Sequence, residues 1–255
     1  MTSLNIAIIG YGKMGKEIET TALESGHTVK SIIDPKLEKK DNKYNKIDKE
    51  SLKDVDVCID FTIPKVALNN IKKIAEHKKN IIIGTTGWYN QLDEAKKIIE
   101  KNNIGLLYAP NFSIGVNLFF KIIKNASKAF NKFDNYDPFI LELHHKQKLD
   151  SPSGTAKKLG EIIIKNIDRK TTAQYDKLDR KINPEELHIT SVRVGSIPGT
   201  HNVGFDSQAD TIELKHTARG RKGFAQGAVI AAKWINNKKG IFTIDDMMKS
   251  IIGGN

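Results

Sequence analysis

Two histidines and two lysines fall within the fifteen residues Glu142-Leu-His-His-Lys-Gln-Lys-Leu-Asp-Ser-Pro-Ser-Gly-Thr-Ala156. The stretch offers a proton donor, fixed positive charge and the open N–H groups of a helix start. Those are the means to hold a small anion and hand it a proton. In an extended strand Ile140, Glu142 and His144 share one face, and Phe139, Leu141 and Leu143 the other. The apolar set is expected to face the core, leaving Glu142 and His144 on a polar face. His144 is then the natural general acid, because its ordinary pKa of roughly 6.5 needs only a modest lift near neutrality. Glu142 and a dianionic ligand would raise it, while Lys148 would oppose them.

Ser153 suits the N-cap of a helix whose apolar stripe is Ala156, Leu159, Ile163 and Ile167. Gly154 clears space beside it, and Thr155 adds an N–H and a hydroxyl, so a carboxylate there would meet backbone donors and the helix dipole. A lone strand histidine is usually structural, and capping alone would account for Ser153. The neighbouring His-His-x-x-Lys tips the balance to function. Alternation turns His145 away from His144, so a shared role requires the strand to end there.

A second constellation lies near the amino terminus. Gly10, Tyr11, Gly12, Lys13, Met14 and Gly15 form a G-x-G-x-x-G between an apolar strand and an amphipathic helix. In that context the glycines permit a tight turn, a close approach to pyrophosphate and close helix–strand packing. Asp34 ends the next strand, placed to bind an adenosine ribose. It favours NADH over NADPH, although Lys36 could soften that choice, so NADH and/or NADPH is the expected cofactor. Ligands of open parallel sheets gather beyond the strands' carboxyl ends. Here those ends hold Asp60, Phe61 and Thr62; Gly84, Thr85, Thr86 and Gly87; and Ala109, Pro110, Asn111 and Phe112.

The elements that must position these residues follow from periodicity. Apolar runs at Ile6–Ile9, Val29–Ile33, Val55–Phe61, Ile81–Ile83 and Gly105–Tyr108 alternate with helical patterns at Met14/Ile18/Ala22, Leu68/Ile71/Ala75 and Leu92/Ala95/Ile99. Such alternation means βαβ units and a parallel sheet. Lys36–Asp54 is polar, leaving an abbreviated connection. Beyond Ser113 the order is a helix over Gly115–Phe130, a strand over Phe139–His145 and a helix over Thr155–Ile167. A surface loop over Asp168–Glu186 follows, then strands over Leu187–Val194 and Thr211–His216 separated by a glycine-rich loop. A closing helix, Phe224–Asn236, and the tail Ile241–Ile252 could join either half. The fold expected is α/β: a Rossmann-like parallel-sheet dinucleotide domain over 1–112, and a smaller α+β domain over 113–221 that carries the His-His-x-x-Lys run.

Composition excludes several classes. With 39% hydrophobic and 28% charged residues the chain is an ordinary globular protein. No apolar run reaches membrane-spanning length, and no basic leader precedes the first strand. The single cysteine, Cys58, sits in an apolar run and reads as a buried hydrophobe, consistent with a cytoplasmic protein. The net charge of +11 invites a nucleic-acid reading. The excess is scattered lysine without interleaved aromatics, so no nucleic-acid partner and no membrane are expected.

Taken together, Gly10–Gly15, Asp34, Gly84–Gly87, Ala109–Asn117, the Glu142–Ala156 run and Asp210–Ala218 closely resemble the 4-hydroxy-tetrahydrodipicolinate (dihydrodipicolinate) reductase family over essentially the whole chain. The resemblance implies hydride transfer from a nicotinamide to a cyclic imine dicarboxylate in lysine and diaminopimelate synthesis. His144 would be the proton donor and Lys148 its electrostatic partner. His145, Lys148, Ser153, Gly154 and Thr155 would contact the small dicarboxylate substrate; no metal is implied. It also implies a homotetramer joined through the second domain's sheet, with the segment 222–255 returning to the cofactor domain. Three departures stand out: a glycine loop one residue shorter than in many members, Pro35 after Asp34, and Phe139 where an acid is frequent. Two rival readings are another two-domain amino-acid dehydrogenase, such as an aspartate dehydrogenase, and a non-catalytic dinucleotide sensor that binds nucleic acid.

Overall fold

The computed structural model describes residues 3–175 and 177–253. The chain separates into two compact units, Met1–Ile114 with Arg221–Asn255, and Gly115–Gly220.

The first unit is built on β1 (Asn5–Ile9), β2 (Thr28–Ile33), β3 (Lys43–Tyr44), β4 (Val57–Asp60), β5 (Asn80–Ile83), β6 (Gly105–Tyr108) and β12 (Gly240–Thr243). All pair in parallel, in the order β12-β6-β5-β4-β1-β2-β3. The inner strands are short apolar runs because helices cover both faces. On one side α1 (Lys13–Glu24), α6 (Lys222–Ile235) and α7 (Ile244–Ile252) set Ile18, Ala228, Ala232 and Met247 against Ile6, Ile8, Val57 and Ile59. On the other, α2 (Pro64–Glu76) and α3 (Leu92–Asn102) set Ile71, Ile74 and Ile99 against Ala7, Ile9, Cys58 and Ile81. Cys58 is fully buried there, and burial pushes its thiol pKa far up, so it packs as a hydrophobe. The closing segment, which periodicity left open, belongs to this unit through the β12–β6 pairing.

The second unit contains α4 (Ile114–Phe130), whose first residue is the last of the first unit, and α5 (Gly154–Asn166). Its strands are β7 (Asp137–His144), β8 (Thr172–Gln174), β9 (Glu186–Arg193), β10 (Thr200–Asp206) and β11 (Thr211–Thr217), in the order β11-β10-β7-β9-β8. β10 runs antiparallel to both neighbours; β7, β9 and β8 are mutually parallel.

Three expectations are overturned here. The glycine-rich loop contains β10, whose residues are buried except for Asp206. Its pattern is disguised because His201, Asn202 and Gly204 lie inside; a Cβ on Gly204 would stand 2.2 Å from the Phe139 ring. The surface loop Asp168–Glu186 contains the short edge strand β8. And the buried face of β7 is the one carrying Ile140, Glu142 and His144, while Phe139, Leu141 and Leu143 are half-buried. The helix α5 decides this: its stripe Ala156, Leu159 and Ile163 packs on Ile140, Ile189, Val203 and Phe205. Glu142 and His144 therefore continue the core face rather than occupying a polar one.

Candidate active site

The glycine loop of the first unit is shaped by contacts that leave no room for side chains. Gly10 has φ +86° and a Cβ there would meet the Phe61 carbonyl oxygen at 2.7 Å; one on Gly15 would meet the Gly10 oxygen at 2.1 Å. A Cβ on Gly12, in contrast, would meet nothing within 4 Å. Helix α1 starts after Gly12 with no side-chain cap and no acid in its first turn. Its first N–H groups, with Lys13 beside them, thus suit an anionic pyrophosphate. Asp34 fixes the loop: Oδ2 accepts from Tyr11 N at 2.8 Å and Oδ1 from Lys36 N at 3.0 Å. The Tyr11 hydroxyl donates to Glu19, which lifts its pKa to about 12.

At the same sheet edge Asp60 is fully buried and accepts from Thr62 N (2.9 Å), Thr62 Oγ1 (2.7 Å), Asn70 Nδ2 (2.9 Å) and Thr85 Oγ1 (3.2 Å). Burial raises its pKa, with those donors opposing. The Gly84 backbone lies under the Phe61 ring, 2.2 Å from where a Cβ would stand. Thr86 and Pro110 are exposed, Met14, Phe61, Gly84 and Asn111 partly so. Thr85, Ala109 and Phe112 are buried, so a cofactor could meet those three only through the backbone.

In the second unit the hub is Glu142, with no exposed surface. Its Oε1 accepts from Ser153 N (3.0 Å), Ser191 Oγ (2.8 Å) and Arg193 Nη2 (2.8 Å). Its Oε2 lies 3.0 Å from His144 Nδ1 and 3.6 Å from His201 Nε2. Burial works to raise the Glu142 pKa, but the donors His201, Ser153, Arg193 and Ser191 overcome it and hold the carboxyl well below the usual range. His144 is lowered to about 4, first by burial and then by His201, Lys148 and Arg193, with Glu142 opposing. The expected modest lift is thus reversed, because His144 stands on the core face. Gly199 leaves its ring free: with φ +152°, a Cβ there would stand 2.9 Å from His144 Nε2.

The strand ends at His144, so alternation no longer constrains His145, which begins the following turn and is half-buried. Lys148 pairs with Asp150 at 2.7 Å. Ser153 caps α5, its Oγ accepting from Ala156 N at 3.2 Å, and a Cβ on Gly154 would meet nothing within 4 Å. The second unit therefore gathers His144 and Ser153 around one carboxylate, with Lys148 near enough to lower the His144 pKa. Reasoning from sequence missed Ser191, Arg193 and His201. Arg193 and Ser191 had a signal: Leu187 and Ile189 give way to them along one face of β9, as Ile140 gives way to Glu142 and His144 on β7. The ligand atoms of Glu142, His144 and His201 lie within 4.8 Å of one another, a spacing that would admit a cation. Arg193 already supplies the countercharge to Glu142.

A parallel-sheet unit with an uncapped glycine-loop helix, followed in the chain by a unit holding a buried histidine and a helix start against one carboxylate, has the make-up of a dinucleotide-dependent oxidoreductase. Family models described as dihydrodipicolinate reductase, N-terminus and C-terminus, match residues 4–112 and 115–248. The chain belongs to that family. It is 38% identical, over 97% of its length and 99% of the relative's, to the 4-hydroxy-tetrahydrodipicolinate reductase of Christiangramia forsetii. With the enzyme of that name from Methanococcus aeolicus it shares 40% identity over 91% of this chain and 77% of the relative. A solved dipicolinate-bound dihydrodipicolinate reductase from Paenisporosarcina sp. TG-14 superposes with TM-score 0.75 at 25% identity, covering 95% of this chain and 98% of that one. Among the described residues no helix is long and apolar enough to cross a membrane.

Proposed function

We propose that the chain reduces 4-hydroxy-tetrahydrodipicolinate to tetrahydrodipicolinate at the expense of NADH or NADPH, within cytoplasmic lysine and diaminopimelate synthesis. The observation that carries this reading is the Glu142 carboxylate, which touches both the His144 ring and the capped start of α5. A bound nicotinamide supplies the hydride. The protein's own residues do the rest. Ser153, Gly154 and Thr155 seat a substrate carboxylate on the α5 amides, with Lys148 and His145 adding charge and a donor. Glu142, close to Nδ1, favours the His144 tautomer protonated there and leaves Nε2 as the atom that carries the donated proton. The open N–H groups of α1 and the Gly10–Met14 loop hold the dinucleotide phosphates.

Asp34 supports NADH as the better cofactor, because its fixed carboxylate repels a ribose 2′-phosphate. Lys36 keeps NADPH usable, and the ratio of the two Michaelis constants is expected to stay below about a thousandfold. The other face of the second sheet, with Phe139, Leu141, Leu143 and Val192, supports assembly as a homotetramer. An amino-acid dehydrogenase of another kind would have no need of the His-His-x-x-Lys and Pro-Ser-Gly-Thr pair.

The test is loss of NADH or NADPH absorbance with substrate made in situ by a synthase from pyruvate and aspartate semialdehyde. Oxidation should require the synthase. His144→Ala and Lys148→Ala should each lower turnover by about 10²–10⁴ while leaving dinucleotide affinity unchanged. Near-native turnover in both variants would refute the assigned roles.

A further inference from the structure

We propose that His201 is a positioning residue that sets the direction of the Ser153 hydroxyl, so that its proton is offered to a substrate carboxylate. This rests on the reading of the α5 start as a carboxylate seat. His201 stands on β10 directly opposite Glu142 and is 4% exposed. Its Nε2 lies 3.0 Å from Ser153 Oγ and 3.6 Å from Glu142 Oε2, whereas its Nδ1 is buried and has no partner among the described residues. The two neutral tautomers therefore differ sharply. A proton on Nδ1 would bury an orphan N–H, at a cost of about 1–3 kcal/mol. A proton on Nε2 faces two oxygens and leaves only a bare lone pair at Nδ1, the milder defect. The geometry selects the Nε2–H form.

That choice fixes the role of Ser153. Its Oγ then accepts from both His201 Nε2 and Ala156 N, which occupies both lone pairs. The hydroxyl proton is left over, on a buried side chain next in sequence to Gly154, where a Cβ would meet nothing within 4 Å. A carboxylate there gains an O–H donor in addition to the amides of Gly154 and Thr155. In the opposite tautomer Ser153 would donate to His201 and turn a lone pair toward the anion, which repels it. Through one histidine the seat therefore prefers a carboxylate to a group that must itself donate.

Two measurements test this. In ¹⁵N-labelled native protein the His201 ring signals, identified by their loss in His201→Gln, should show the Nε2–H tautomer; an Nδ1–H tautomer would overturn the proposal. In titrations with dipicolinate, His201→Ala should weaken binding about tenfold without changing NADH affinity. His201→Gln, whose side-chain N–H can replace Nε2–H, should restore most of it. In a Ser153→Ala background, His201→Ala should add less than about twofold, because the two act as one unit. An undiminished effect in that background, or native affinity in His201→Ala, would overturn it. If native protein binds no dipicolinate, the carboxylate seat itself fails, and this proposal with it.

Discussion

His144 is the residue in which the chemistry and the packing conflict. A general acid must carry a proton, yet burial first, and then His201, Lys148 and Arg193, hold the His144 pKa at about 4. At neutral pH the imidazole is therefore uncharged until something compensates. The dianionic substrate proposed to sit beside it would supply that compensation, since two negative charges favour the protonated ring. The sign is definite: the ligand raises the His144 pKa, so binding between the free and bound values takes up protons. Dipicolinate binding above the free His144 pKa should therefore take up protons from solution. Titration calorimetry in buffers of differing ionisation enthalpy measures it, and His144→Asn should abolish it. Uptake of no proton by native protein would mean that His144 stays neutral in the complex and is not the acid.

At the level of elements, the dinucleotide half was legible because each strand and helix there states its period plainly. The runs Ile6–Ile9 and Ile81–Ile83 lie between helices with clear stripes, and Gly10 and Gly15 meet close contacts that only glycine permits. The second half was half legible. β7 and α5 were placed within two residues, but the buried face of β7 was inverted, because three apolar residues on one side outweighed Ile140 on the other. No local pattern says that α5 will cover the Ile140 face. β10 escaped because a central strand containing His201, Asn202 and Gly204 has neither alternation nor a continuous apolar run. Its glycine is explained by a partner 65 residues away in sequence, Phe139, whose ring fills the space of a Cβ. Gly204→Ala should accordingly destabilise the fold by about 1–3 kcal/mol through overpacking. Thermal unfolding would read this as a fall of several degrees, with Phe139→Leu in the same chain restoring part of it. An unchanged midpoint for Gly204→Ala would show that the ring can move aside freely.

For the molecule as a whole, the inverted face of β7 changes the meaning of the residues first assigned to the core. Phe139, Leu141 and Leu143 are only half-buried, and Val192 on the neighbouring strand is 40% exposed. The second sheet thus has one face sealed by α5 and another that is apolar along β7 and at Val192, with His188 and Thr190 beside it on β9 and Glu213 and Lys215 toward the β11 edge. A contiguous apolar patch of this kind on an isolated chain marks an interface. Pairing of such sheets between copies would bury it and remove its cost from solvent, which is the physical basis for the proposed tetramer. Light scattering on the purified protein should give four chains per particle. Leu141→Glu, at the patch centre, should yield smaller species, because charges buried at an interface without partners cost several kcal/mol. The first unit, which lacks that face, should keep its dinucleotide affinity in the variant. A native protein that scatters as a single chain at micromolar concentration would leave the patch without a partner copy and exclude the tetramer.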